Sequence, residues 1–147
     1  MNIRYALFED IAQLESFFSR YITIENKAVY NEEFLCVLGL RAAVLRKCMV
    51  IMVWKGIIIA AARIYRKKNN TISLYQFAVE ENYRGKNLMK FLLSQIGYPV
   101  IAACPSNLEF NMYYKNSNWS FIESKKGMNT WMLEADSLTE ISYNPHE

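Results

Sequence analysis

One stretch restricts what this chain can become more than any other: Thr71 to Gln95, TISLYQFAVEENYRGKNLMKFLLSQ. Its first part is mostly apolar and reads as a buried strand, Ile72 to Val79. Downstream, Leu88, Phe91, Leu92 and Ile96 recur at i, i+3, i+4 and i+8, the spacing of one buried helix face. The pattern predicts a helix from about Arg84 to Ile96, with Arg84-Gly85-Lys86-Asn87 in its first turn and Gly97 as its stop. A strand that enters a helix through such a turn can hold phosphate. The first N–H groups of a helix lack internal acceptors, and the helix dipole favours negative charge there.

The flanking sequence fixes how that unit is used. Met49–Trp54, the dipeptide Lys55-Gly56 and Ile57–Tyr65 read as a hairpin, and the polar run Arg66–Asn70 turns the chain into Ile72–Val79. Three consecutive strands form an antiparallel meander. The small residues Ala60, Ala61 and Ala62 imply close packing from another element. After the helix, Tyr98–Ala103 is an apolar strand, so strand, helix and strand predict a parallel pair with a right-handed crossover.

Upstream, Asn2–Leu7 reads as a strand and Asp10 as the N-cap of a helix bearing Ile11, Leu14, Phe17 and Phe18. Glu25–Tyr30 reads as a loop. Asn31 caps a second helix to about Lys47, with Phe34, Leu35, Val37 and Leu38 among its apolar positions. Downstream, Pro105 ends the strand, Ser106 or Asn107 caps a helix to about Ser117, and Asn118 supplies a left-handed stop. Ser120–Glu123 and Met128–Leu133 complete a hairpin around Lys125-Lys126-Gly127. The order is β-α-α-β-β-β-α-β-α-β-β: one α/β (α+β) domain over residues 1–133, with a mixed, mostly antiparallel sheet, followed by a polar tail over 134–147.

Composition supports a packed fold. Of 147 residues, 52% are hydrophobic and 21% charged, which argues against disorder. The formal charge of +3 suits an anionic ligand, and nucleic acid is a weaker partner option. Cys36, Cys48 and Cys104 show no metal-ligand spacing, so no metal site is expected. Charges at Arg4, Glu9 and Asp10 interrupt any leader, and the longest apolar runs are too short to cross a bilayer. The expected compartment is the cytoplasm, with no membrane partner; a homodimer is allowed.

Two segments carry a family resemblance. Phe77-Ala78-Val79-Glu80-Glu81-Asn82-Tyr83-Arg84-Gly85-Lys86-Asn87-Leu88-Met89 resembles the strand-turn-helix of the GNAT acetyl-CoA-dependent N-acetyltransferases, where an apolar-Ala-Val strand end leads into Arg-x-x-Gly-x-Gly/Ala. Asn107–Trp119 resembles their Asn-x-x-Ala-x-x-Phe-Tyr-x-x-x-Gly-Phe segment. The likeness runs to about Leu133. It implies that Phe77, Ala78 and Val79 hold the pantetheine arm of acetyl-CoA like an added strand, which needs that strand to splay from its parallel neighbour. It implies that Arg84, Gly85, Lys86, Asn87, Leu88 and Met89 cradle the pyrophosphate. By the same likeness Asn107 contacts the cofactor, and Tyr114 protonates the departing thiolate, a task suited to a phenol because its pKa lies near that of a thiol.

The chain also departs from that pattern. Asn87 stands where the family has Gly, and Met89 where it has a small residue. No carboxylate occupies Ile101–Cys104, where many members carry a base, and the preceding strand offers Ser73, Tyr75 and Gln76. Glu80, Glu81, Glu109 or a water chain remain as bases. The sequence is compatible with three functions: transfer of acetyl to a primary amine of a small molecule or protein, acyl-CoA or macromolecule binding without catalysis, and acyl transfer on a nucleic acid.

Overall fold

The structure is a computed structural model that describes residues 1–21 and 37–134. Seven strands form one sheet in the order β1-β2-β3-β4-β5-β7-β6. They are β1 (Asn2–Tyr5), β2 (Met49–Trp54), β3 (Ile57–Arg66), β4 (Ile72–Val79), β5 (Val100–Pro105), β6 (Ser120–Lys125) and β7 (Met128–Leu133). Among the described residues only β4 and β5 pair in parallel. Among the described residues the α-helices are α1 (Ile11–Tyr21), α2 (Val37–Leu45), α3 (Leu88–Ser94) and α4 (Asn111–Asn116).

The alternation of side chains along a strand gives the sheet two cores. Met49 and Ile51 of β2 and Ala61 of β3 meet α1 and α2 through Leu14, Phe17, Phe18, Leu40 and Val44. On the other face, Val50, Met52, Ala60 and Ala62 meet α3 through Leu88, Met89, Leu92 and Leu93. All three alanines are fully buried, so helices approach both faces of the sheet centre closely. Both two-residue hairpin turns use Lys-Gly. Lys55 (φ 50°) with Gly56 (φ 78°), and Lys126 (φ 53°) with Gly127 (φ 76°), adopt the paired positive φ that matches strand twist. Gln13 of α1 clips the first hairpin: its side-chain carbonyl accepts from the Ile58 N–H at 2.6 Å.

Several boundaries differ from expectation for identifiable reasons. Asp10 does not cap α1. It ends a short 3-10 turn, Phe8–Asp10, where its carboxylate accepts from the Leu7 N–H at 2.7 Å and pairs with Arg4 at 2.6 Å. Arg4 holds that carboxyl below the ordinary range. Helix α3 starts at Leu88 rather than Arg84, because Gly85 (φ 79°) and Asn87 (φ 57°) lie in the left-handed region. Its buried face includes Met89 and Leu93, while Phe91 and Ile96 are half-buried. Helix α4 starts at Asn111, not near Asn107, and Asn118 (φ 64°) follows its end as anticipated. Leu38 is 73% exposed and is no part of the α2 core face. The expectations for Glu25–Tyr30, Asn31, Phe34, Leu35 and Cys36, and for residues 135–147, lie outside the described residues.

Candidate active site

The site begins where β4 and β5 part. Their pairing covers only Ile72↔Val100, Ser73↔Ile101 and Leu74↔Ala102. Beyond it, β4 keeps β3 as a neighbour through Val79↔Ala60, and β5 keeps β7 through Pro105↔Met128. Tyr75 is an extra residue in β4: Gln76 pairs with Arg63 and Leu74 with Ile64, so Tyr75 is a bulge. A bulge bends its strand and re-aims the residues beyond it. Here the bend leaves Phe77–Val79 without a strand partner on the β5 side, among the described residues.

The chain then folds over this free edge. Glu80 accepts from the Asn82 N–H at 2.9 Å and starts a 3-10 turn, Glu81–Tyr83. Arg84 reaches back, its Nε donating to the Val79 carbonyl at 3.0 Å. Asn87 enters α3 at φ 57°, ψ 28°, a conformation that Asn tolerates better than other non-glycine residues. The first backbone bond into the helix comes from Phe91 N–H to Asn87 C=O at 3.0 Å. The N–H groups of Leu88, Met89 and Lys90 precede it and have no acceptor within the helix.

A cavity of about 470 Å³ lies against this edge. Its lining includes Phe77, Ala78, Val79, Arg84, Gly85, Asn87, Leu88 and Met89, eight residues singled out in the sequence. Lys86 and Asn107 are exposed and lie outside the lining. Tyr114 is also outside it: only 4% exposed, it is stacked on Trp131 (5.8 Å between centroids) and edge-on to Trp119 (5.0 Å) and Phe110 (5.4 Å). Burial pushes its phenol pKa far up. None of Glu80, Glu81 and Glu109 lines the cavity. Among the described residues no cluster of His, Cys, Asp or Glu could hold a metal ion.

Five lining residues were not anticipated: Tyr83, Lys90, Phe110, Tyr113 and Ser117. Lys90 is 8% exposed, and burial lowers its pKa. A buried cation in the first turn of a helix opposes the dipole, which favours anions there. That clash was readable in the sequence once the helix start was known. Phe110 stands at the motif's Ala position and joins Phe77 (5.8 Å) and Tyr113 (5.2 Å, stacked) in an aromatic wall. Burial raises the Tyr113 phenol to about 12, with a smaller opposing effect from its hydrogen bond to Ser117.

Asn111 sets that wall in place. Its side-chain amide donates to the carbonyls of Pro105 and Leu108, both at 2.9 Å. Its carbonyl accepts from Asn129 at 3.1 Å and from the Trp131 indole at 3.0 Å. These bonds hold residues 106–110 as turns, so the helix expected from Ser106 or Asn107 does not include them.

No protein-family model and no curated protein sequence matches the chain. Solved structures do. A GNAT-family acetyltransferase from Listeria monocytogenes is 15% identical with a TM-score of 0.69, over 90% of this chain and 94% of that one. The PaiA N-acetyltransferase from Thermoplasma acidophilum, solved with coenzyme A, is 15% identical with a TM-score of 0.68, over 90% and 98%. YncA from Salmonella typhimurium, a putative acetyltransferase solved with acetyl-CoA, is 16% identical with a TM-score of 0.63, over 97% and 96%. With the parted strands and the turn between β4 and α3, these likenesses show that the chain has the GNAT acetyltransferase fold.

Proposed function

We propose that the cavity binds acetyl-CoA and that the protein moves its acetyl group to a primary amine. The observation that carries this reading is the free edge of Phe77–Val79 beside the cavity. An extended amide-bearing arm can pair with such an edge as an added strand. The aromatic wall of Phe77, Phe110 and Tyr113 suits the arm's apolar segments, and Lys90 with the first amides of α3 suits a diphosphate. Lys86 and Asn107, outside the lining, enter as contacts through the family resemblance alone. Two fold neighbours were solved with coenzyme A or acetyl-CoA, which supports the donor. Such a donor fits the cytoplasm as the site of action.

In this reading acetyl-CoA supplies a thioester carbonyl. The amine nitrogen bonds to that carbon, the C–S bond breaks, the nitrogen gives up one proton to water, and the thiolate takes a proton. Tyr113 faces the cavity with a phenol that stays protonated at neutral pH, so the geometry favours it as donor. The motif match favours Tyr114, which meets Phe110 edge-on and lies outside the lining. No described lining residue is a carboxylate; in this reading the amine arrives neutral, and the rate rises with pH until the acceptor's own pKa is passed.

Thiol release from acetyl-CoA with an amine panel tests this. Tyr113→Phe should lower kcat at least about tenfold with acetyl-CoA affinity unchanged. An equal loss confined to Tyr114→Phe would return the role to the motif position. Tight acetyl-CoA binding with no thiol release from any amine would favour the second reading, a non-catalytic acyl-CoA-binding module, which Phe110 and the lack of a carboxylate among the described lining residues support.

A further inference from the structure

Gln76 of β4 is 2% exposed, and among the described residues its Nε2 has no hydrogen-bond partner. Buried amides are almost always satisfied, so an unpartnered donor marks a place where an acceptor atom from outside the protein can bind. Its position in the fold suggests which one. The bulge at Tyr75 reverses the facing of β4. Ile72, Leu74, Phe77 and Val79 pack on the α3 core, whereas Ala78 packs on the α1–α2 core. Gln76 shares the face of Ala78, opposite the α3 side. It lies just past Leu74, the last β4 residue that β5 pairs, so its backbone borders the gap, while its side chain lies outside the described lining of the cavity.

Its surroundings are cationic and aromatic. Arg63 is its partner across the β3–β4 register. The Arg63 Nε donates to the Tyr65 hydroxyl at 2.6 Å, and its guanidinium lies 5.0 Å from the Tyr75 ring. Tyr65 and Tyr75 meet edge to face at 5.5 Å. The Gln76 amide N–H is a donor, and a carbonyl oxygen is the acceptor that suits it.

We propose that Gln76 is a specificity-determining residue that binds the carbonyl oxygen of the acceptor, and that the acceptor is an α-amino amide, as at the N-terminus of a peptide. In an α-amino amide the oxygen sits a few bonds from the amine. The Gln76 amide would hold that oxygen on the α1–α2 side while the nitrogen reaches through the gap to the cavity. A polyamine offers no such oxygen. This inference rests on the proposed acetyl transfer.

The test is calorimetry on protein loaded with coenzyme A, using L-alaninamide and sec-butylamine, which lacks the carbonyl. Wild type should bind L-alaninamide at least about tenfold more tightly. Gln76→Leu should erase that preference, raise the melting temperature by removing the unpaired donor, and leave coenzyme A affinity unchanged. Gln76→Met serves if the leucine variant does not fold. Equal or absent binding of the two amines to wild type, or a preference that survives in both variants, would overturn the role of Gln76 alone. Failure of coenzyme A itself to bind would overturn the acetyl-transfer reading, and this inference with it.

Discussion

The two halves of β4 differ in what their neighbours ask of them. Ile72–Leu74 is paired on both sides, by β3 and β5, with Ile72 and Leu74 buried in the α3 core. Among the described residues Phe77–Val79 is paired only by β3, and it lines the cavity. One extra residue, Tyr75, separates a structural half from a half with an open edge. The comparison teaches that one strand can anchor a sheet and still present unpaired backbone, provided a bulge stops the ladder and a turn covers the end.

The sharpest way to break that contrast is to truncate one side chain in each half. Leu74→Ala should destabilise the fold by about 2–4 kcal/mol, read by urea unfolding, because a nearly buried side chain leaves a cavity. Its folded fraction should bind acetyl-CoA as wild type does. Phe77→Ala should instead show its larger effect in acetyl-CoA affinity. If both variants lose stability and affinity in equal proportion, the division of β4 is wrong.

Lys90 tests the open half from the helix side. Lys90→Met should weaken acetyl-CoA binding about tenfold, the scale of one charge-assisted contact, while stabilising the free protein. The pH dependence has a definite sign. Burial lowers the Lys90 pKa, so the folded state binds fewer protons than the unfolded state between the folded pKa and the unfolded value near 10.5. The destabilisation by Lys90 is full below that window and fades as pH rises through it. Thermal melts of wild type and variant should therefore differ most near neutrality and converge above about pH 10.

Asn87 should give the smallest effects. Asn87→Gly should change stability by less than about 1 kcal/mol, since both residues accept a left-handed backbone. Asn87→Ala should cost about 1–2 kcal/mol. An Asn87→Gly variant that binds acetyl-CoA much more tightly would show that the Asn side chain obstructs the cradle.

Much of the fold was legible because each element carried its own signal. The meander showed in apolar runs split by Lys55-Gly56, and the crossover in a strand, helix, strand order. Helix starts were less legible, because they turn on single residues in the left-handed region, such as Asn87, and on side-chain bonds such as those of Asn111. Within the site, the strand end and turn could be read from local pattern. Lys90 could be read only with the helix start at Leu88 known, and Tyr113 could not, because which of two adjacent tyrosines faces a cavity depends on packing around Phe110, Trp119 and Trp131. Gln76 was noticed as a strand position, but its unpaired amide appears only with the bulge in place.

The most direct measurement is an amide NMR titration of the isotope-labelled protein with acetyl-CoA. The predicted result is saturable one-to-one binding, with the largest shifts at Phe77–Val79 and at Gly85–Lys90 and little change at Ile72–Leu74. No saturable change, or shifts centred away from the parted strands, would contradict it.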